Sequence, residues 1–145
     1  MKNKKELITF DFGKGPVPAH RHKNPDGSMG GWVANTATVA DTAYIGEDAQ
    51  VYNNAKVSDN AFVVDNAQVF GIAWVYDNAE VSDNAKVSGK ASVYGDTWVF
   101  GDAQVFGDTW VYDNAEVSDN AKVFGNAKVS GNAQVAGNAR VYDYA

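Results

Sequence analysis

The sequence predicts an all-β solenoid, in which short strands coil around one axis and stack on each other. A valine, replaced once by Ile45, occupies every sixth position from Val33 to Val141. The residue four positions after each of these is alanine, or threonine at Thr97 and Thr109. Leucine, which dominates ordinary helical cores, occurs once in 145 residues. Self-similarity at a fixed short period indicates stacked units that share one continuous core.

Each six-residue unit is predicted to form one short strand and one corner. Alternate residues of a strand point to the same side, so the alanine and the valine two positions later both face inward. The next two residues, such as Asp77-Asn78 or Gly101-Asp102, are of types that tolerate the left-handed backbone of a sharp turn. A helix is excluded because six is not a helical period.

The repeat leaves the number of corners per coil open. Three corners give coils of 18 residues, and two give flatter coils of 12. The segment VYDNAEVSDNAK occurs unchanged at 75–86 and 111–122, a spacing that fits both. The segment GDTWV recurs at 95–99 and 107–111, which favours the flat coil. With three corners and a strand spacing of about 4.8 Å, the solenoid is expected to be roughly 30 Å long.

Residues 1–32 lie outside the repeat and are predicted to cap the start of the solenoid, which occupies 33–145. The segment LITFDF at 7–12 is rich in β-branched and aromatic residues and predicts one strand. Residues 13–31 are rich in Gly, Pro, Asn and Asp and predict a loop. Trp32 is expected to lie over the first valine of the repeat.

Charge and composition narrow the classes of partner. A net charge of −6 and a pI near 4.7 argue against direct binding to nucleic acid or to an anionic membrane. The absence of cysteine excludes disulfides and thiolate metal sites. The N-terminal apolar run is too short for a signal peptide, and no stretch is long enough to span a bilayer. We therefore expect a cytoplasmic protein, in the host cell if a phage encodes it.

The pattern over residues 33–145 resembles the hexapeptide-repeat superfamily. The aliphatic residue at every sixth position, the small residue two before it, and the Gly, Asp and Asn between them carry this resemblance. It implies a left-handed parallel β-helix of about six triangular coils of 18 residues, with an N-terminal capping segment. The opening PAHRHKNPDGSMGGWVANTATVADTAYIG, at 18–46, also resembles hexapeptide-repeat proteins of bacteriophage and prophage genomes.

The catalytic features of that superfamily find no clear position in this chain. Its acyltransferases use a histidine base beside the solenoid between subunits, commonly helped by a loop that interrupts the repeats, and its carbonic anhydrases bind zinc with three histidines. Here the repeats are uninterrupted, and the only histidines are His20 and His22, which we expect to be surface residues of the loop. We therefore predict no catalytic residue, no metal and no cofactor. An acyltransferase that uses His20 or His22 at a subunit interface is the alternative.

Aromatic residues at outward positions are the candidate binding residues, because Trp and Tyr carry much of the binding energy at interfaces. For coils of 18 residues, outward positions form columns on three faces. The candidates on the first face are Trp74, Tyr76, Tyr94, Trp110 and Tyr112, and those on the second face are Trp98 and Phe100. Stacking along a sheet is the competing explanation, since aromatic residues occur on all three faces.

The corners carry stacked acidic residues. Asp59, Asp77 and Asp113 fall along one edge, and Asp65 and Asp83 along the next. Such rows are able to bind calcium or to imitate nucleic acid phosphates. The competing explanation, that Asp and Asn are present for the turns, is the one we favour.

The last coil is expected to expose inward-facing residues. The chain reaches VYDYA still in register with the repeat, so Val135, Val141 and Ala145 are predicted to face solvent. We expect self-association there, as a two-fold end-to-end homodimer that involves Val135, Val141, Tyr142 and Tyr144.

These observations predict a non-enzymatic interaction protein that presents aromatic and acidic surfaces to a protein partner. An inhibitor of a host defence or nucleic-acid enzyme, or a structural component of a virion, fits that description.

Overall fold

The structure is a computed structural model and describes residues 8–144. Within this range every regular element is a strand. Three longer strands open the chain: β1 (Thr9–Asp11), β2 (Pro16–Lys23) and β3 (Met29–Ala34). The remaining strands have two residues each: β4 (Thr38–Val39), β5 (Tyr44–Ile45), β6 (Gln50–Val51), β7 (Lys56–Val57), β8 (Phe62–Val63), β9 (Gln68–Val69), β10 (Trp74–Val75), β11 (Glu80–Val81), β12 (Lys86–Val87), β13 (Ser92–Val93), β14 (Trp98–Val99), β15 (Gln104–Val105), β16 (Trp110–Val111), β17 (Glu116–Val117), β18 (Lys122–Val123), β19 (Lys128–Val129), β20 (Gln134–Val135) and β21 (Arg140–Val141).

These strands form three sheets, so each coil of the solenoid has three sides. The first sheet has the order β4-β7-β10-β13-β16-β19, and the second has the order β5-β8-β11-β14-β17-β20. The third sheet has the order β1-β2-β3-β6-β9-β12-β15-β18-β21. Pairing from β3 onward is parallel with a register of 18 residues, as in Trp74↔Ser92. The predicted all-β solenoid of about six three-sided coils is confirmed, and the flat coil of 12 residues is wrong.

The repeated valines and alanines form a single core along the solenoid axis. Central members such as Val75, Ala79 and Val81 are completely buried. Each valine stacks on the valine one coil away, as Val75 does on Val93. Stiff β-branched side chains suit the strands, whereas alanine occupies the narrower position after each corner. The inward assignment made from the six-residue period is therefore correct.

Two core positions break this apolar pattern. Thr97 and Thr109 stand where the repeat otherwise has alanine, and their side chains are 1% and 0% exposed. Neither hydroxyl oxygen has a hydrogen-bond partner. A buried hydroxyl without a partner costs free energy. These threonines therefore lower the stability of the middle coils.

The corners have the left-handed backbone that the sequence predicted. Asp77 has a φ of 59° and Gly95, one coil later in the same column, has a φ of 75°. A Cβ added at Gly95 would lie 2.9 Å from the backbone nitrogen of Asp113. Successive corners are therefore packed backbone to backbone, and Asp or Gly is needed because few other residues adopt this conformation.

Residues 13–31 are not the predicted loop, because they contain β2 and the start of β3. β1 pairs antiparallel with β2, which pairs antiparallel with β3, and Val33 in β3 joins the solenoid in parallel with Val51. Pro16 begins β2, where a missing N–H is tolerated, and the φ of proline is compatible with extended backbone. Two antiparallel hairpins therefore extend the third sheet.

The same segment also closes the start of the second sheet. The side chain of Asn24 accepts the N–H of Ile45 at 2.9 Å and donates to the carbonyl oxygen of Ile45 at 3.0 Å. This one amide satisfies the strand edge of β5 as a neighbouring strand would. Gly30 makes the approach possible, since a Cβ there would lie 2.1 Å from the carbonyl oxygen of Ile45.

The last described coil is open only in part. Val135 is 9% exposed, so the prediction that it faces solvent is wrong, because the preceding coils still cover most of its side chain. Val141 is partly buried, whereas Ala133 and Ala139 are exposed. Ala145, also predicted to face solvent, lies outside the described residues.

No helix in residues 8–144 has the length and apolar character needed to cross a membrane.

Candidate functional site

Five aromatic side chains of the first sheet form a continuous surface, which we name the aromatic platform: Trp74, Tyr76, Tyr94, Trp110 and Tyr112. They stand immediately before or after an inward valine in β10, β13 and β16, so strand alternation points them outward. The ring centroids of Tyr76 and Tyr94 are 4.8 Å apart and those of Tyr94 and Tyr112 are 5.2 Å apart, with nearly parallel planes. The coil repeat therefore builds a ladder of three stacked tyrosines.

The two tryptophans flank this ladder and remain accessible. Trp74 is 43% exposed and Trp110 is 45% exposed. The indole N–H of Trp74 donates to the hydroxyl oxygen of Ser58 at 3.3 Å. The ammonium groups of Lys56 and Lys128 lie 5.7 Å and 4.9 Å from the rings of Trp74 and Trp110, respectively. These contacts hold both indoles against the sheet while nearly half of each stays open to a partner.

The tyrosines of the ladder are neutral at physiological pH. Burial raises the pKa of Tyr76 and of Tyr94 above the ordinary value of 10.0. The neighbouring tyrosine and the carboxylates of Asp77 and Asp113 add to the effect. The platform therefore presents phenol groups that donate and accept hydrogen bonds beside apolar ring surface.

Trp98 and Phe100, the other two candidates, lie on the second sheet and do not join the platform. Their ring centroids are 4.5 Å apart, and the indole N–H of Trp98 donates to Ser82 at 3.2 Å. Trp98 is 42% exposed. A spacing of 12 residues between Trp98 and Trp110 is two sides of a coil, so the two GDTWV segments end on different faces. The seven candidates thus form two separate surfaces.

A second ladder runs along the third face and includes rings of the cap. Phe10 stacks on Trp32 at 4.9 Å, Phe12 stacks on Tyr52 at 4.8 Å, and Tyr52 stacks on Phe70 at 4.9 Å. The sequence analysis placed Tyr52 and Phe70 in one column but did not extend the column into the cap. The alternation in LITFDF, which puts Phe10 and Phe12 on the same side of a strand, is the signal that would have extended it.

The acidic corners are engaged in the backbone of the turns. The carboxylate of Asp59 accepts the N–H of Asp77 at 3.2 Å, and that of Asp77 accepts the N–H of Gly95 at 3.1 Å. The carboxylate of Asp113 likewise accepts the N–H of Gly131 at 3.0 Å. Each carboxylate thus ties one corner to the next coil, which supports the turn explanation for these residues. In the part of the chain that the structure describes, no group of three or more acidic or histidine side chains is arranged to hold a metal ion.

Both histidines lie in β2 rather than in a loop, and their environments differ. His20 is exposed, with its Nδ1 2.7 Å from Oδ1 of Asn35. His22 is 5% exposed, and its Nε2 lies 2.9 Å from the carbonyl oxygen of Ala43. A carbonyl only accepts, so Nε2 of His22 carries the proton. The prediction of a surface residue is wrong for His22, which fastens β2 to the second sheet.

Of the residues predicted for self-association, the two tyrosines are the most accessible. Tyr142 is 49% exposed and stacks on Phe124 at 5.2 Å, and Tyr144 is 86% exposed. Val135 and Val141 belong to β20 and β21, the outer described strands of the second and third sheets.

Comparison with protein-family models, with curated proteins and with solved structures finds no match to this chain. The resemblance to hexapeptide-repeat proteins therefore stands on the repeat and on the solenoid that it forms.

Proposed function

We propose that this is a non-enzymatic interaction protein of the cytoplasm, which binds a protein partner through the aromatic platform. One observation carries the proposal: Trp74 and Trp110 are nearly half exposed on either side of the tyrosine ladder. Core packing does not require this exposure, since the valines and alanines already fill the interior. Tryptophan and tyrosine are the residues that most often dominate the binding energy of protein interfaces.

The platform is rigid before any partner arrives. Tyr94 is stacked between two other tyrosines, and each indole is held by a serine or a lysine. Side chains that are already ordered lose little conformational entropy on binding, so more of the contact energy becomes affinity. Lys56 and Lys128 lie at the two ends of the platform and favour a partner that places acidic groups beyond an apolar centre.

The kind of partner follows from the resemblance rather than from the platform. Residues 18–46 resemble proteins encoded by bacteriophages, which makes a host enzyme or a virion component the expected partner. The rows of aspartates at the corners beside the platform favour a partner with a basic rim, such as an enzyme that acts on nucleic acids. Inhibition of such an enzyme is the function that we propose first.

Affinity capture from a host lysate, followed by purification of the binary complex, tests the platform. Trp74→Ala and Trp110→Ala should each weaken binding by about 30-fold or more, as expected for interface residues worth about 2 kcal/mol. Phe106→Ala, on the third face, is the matched control and should leave the affinity unchanged. Equal affinities for all three variants would refute the platform as the binding surface.

An acyltransferase is the activity whose detection would displace this proposal. His22 is already committed to Ala43, so the exposed His20 is the remaining candidate base. The assay is binding of acyl-CoA to the unmodified chain and to His20→Ala. Saturable binding that His20→Ala abolishes would establish the enzyme instead.

We also propose that two copies associate through the coil of residues 133–144. Exposed Ala133 and Ala139 and the highly exposed Tyr144 lie beside the outer strands β20 and β21. Pairing of outer strands with a second copy would satisfy their free backbone groups. Sedimentation velocity should show a dimer that Val141→Asp dissociates, and a monomer at every concentration would contradict the pairing.

A further inference from the structure

We propose that a cavity beside the cap binds a planar apolar molecule that carries a single acidic group, such as an aromatic carboxylate. The cavity has a volume of about 540 Å³. It lies between the turn that joins β1 to β2 and the outer surface of the third sheet, away from the aromatic platform. Pockets for small organic ligands have volumes of roughly 300 to 1,000 Å³.

The wall of the cavity is a preformed stack of rings. Phe12, Tyr52 and Phe70 all line it, with centroids 4.8 Å and 4.9 Å apart along the stack. The planes of Tyr52 and Phe70 differ by 2°. The Tyr52 hydroxyl donates to Oε1 of Gln68 at 3.0 Å, which fixes the ring at its polar end. A flat ligand therefore meets ordered apolar surface, and little entropy is lost in arranging the site.

The opposite side of the cavity is also apolar and comes from the cap. Val17 lines it from β2 and is 39% exposed, an unusual exposure for a valine in a chain whose other valines are mostly buried. A ligand inserted between Val17 and Phe70 would remove apolar surface from water on both of its faces. Each square ångström so buried contributes on the order of 25 cal/mol.

The charge at the cavity selects an anion. Lys14 is the one lining residue that is charged at neutral pH, and no carboxylate lines the cavity. Asp11, in the same turn, does not line it, and its Oδ1 accepts the N–H groups of Gly13 at 2.7 Å and Gly15 at 3.1 Å. A cationic spot beside an apolar wall is uncommon on a chain with a net charge of −6. An acid on the ligand would pair with Lys14 while its ring lies against Tyr52.

Calorimetric titration with 2-naphthoate, and with the neutral analogue 2-naphthalenemethanol, tests the proposal on the full chain. We expect saturable binding of 2-naphthoate. Lys14→Met, which keeps the apolar stem, should weaken 2-naphthoate about 10-fold and leave the alcohol within about 2-fold. Val17→Phe, which fills the cavity from an exposed position, should weaken both compounds. Lys90→Met, at a distant corner, is the matched control and should change neither.

Two results would overturn the site. One is the absence of saturable 2-naphthoate binding to the unmodified chain. The other is a Lys14→Met variant that binds 2-naphthoate as tightly as Lys90→Met does. Thermal melting of each variant establishes that the cap is folded, so that a loss of binding is read only from folded protein. Since the cavity and the aromatic platform share no residue, either proposal can fail without the other.

Discussion

Removing the unpartnered hydroxyls of Thr97 and Thr109 should make this protein more stable, although most core substitutions destabilise a protein. Valine has nearly the same shape as threonine, so Thr97→Val and Thr109→Val leave no cavity. They delete a hydroxyl that is fully buried and has no hydrogen-bond partner. Burial of such a group without a partner costs about 1 to 3 kcal/mol. Each substitution is therefore expected to raise the free energy of unfolding by about that amount.

Thermal denaturation followed by circular dichroism measures the effect. For a chain of this length, roughly 3 °C in melting temperature corresponds to 1 kcal/mol. Each valine variant should therefore melt about 3 to 9 °C higher than the unmodified chain. The two positions are separated by two sides of the solenoid, so the double variant should show nearly the sum.

Two controls separate the hydroxyl from general packing. Thr97→Ser keeps the hydroxyl but loses the methyl group, and should lower the melting temperature. Thr36→Val removes a hydroxyl that donates to the carbonyl oxygen of Asn53, and should be neutral or destabilising. If Thr97→Val and Thr109→Val both destabilised the protein, the hydroxyls must have partners and the reasoning would be refuted.

Three further predictions concern the cap, the corners and the tyrosine ladder. Asn24→Ala should lower the free energy of unfolding in urea by about 2 to 4 kcal/mol, because it leaves two backbone groups of Ile45 without partners; no change would contradict the capping role. Asp77→Ala should cost about 1 to 2 kcal/mol more than Asp77→Gly in the same assay, since only glycine relieves the left-handed φ; equal losses would refute this. The pKa of Tyr94 is raised on folding, so its contribution to stability is complete below the ordinary value of 10.0 and is lost as pH rises through the folded value. Tyr94→Phe should therefore reduce the loss of stability at alkaline pH, and an unchanged pH profile would contradict the shift.

The architecture of the solenoid could be predicted because one physical rule repeats at every coil. Strand alternation sends Val75 and Ala79 inward and Trp74 and Tyr76 outward, and this holds along the whole repeat. The spacing alone did not decide between two and three corners. The recurrence of GDTWV at 12 residues favoured the wrong one, because a motif that falls on two faces of a triangle has the same spacing as one that falls on one face of a flat coil.

The cap was harder to predict, because its strands have no repeat and depend on partners distant in sequence. Pro16 and Gly15 indicated a loop locally, yet β2 is extended because it pairs with strands on both sides. The bonds of Asn24 to Ile45 and of His22 to Ala43 span 21 residues each, and no local pattern indicates them. The cavity beside Lys14 exists only because the cap folds over the third sheet.

The candidate site was predicted as a set of residues but not as a surface. The aromatic residues were found because neither the core nor the corners require them. Their division into a platform with Trp110 and a separate pair with Trp98 depends on the number of sides per coil. The stacking distances within the tyrosine ladder, and the partners that hold each indole, are visible only in the structure.

Hydroxyl-radical footprinting of the purified complex tests the binding face most directly. Oxidation of each side chain is measured by mass spectrometry for the free protein and for the complex. The aromatic platform predicts strong protection of Trp74, Trp110 and Tyr112, with unchanged oxidation of Tyr142 on the third face. Full oxidation of Trp74 and Trp110 in the complex, with protection on the second or third face instead, would contradict it.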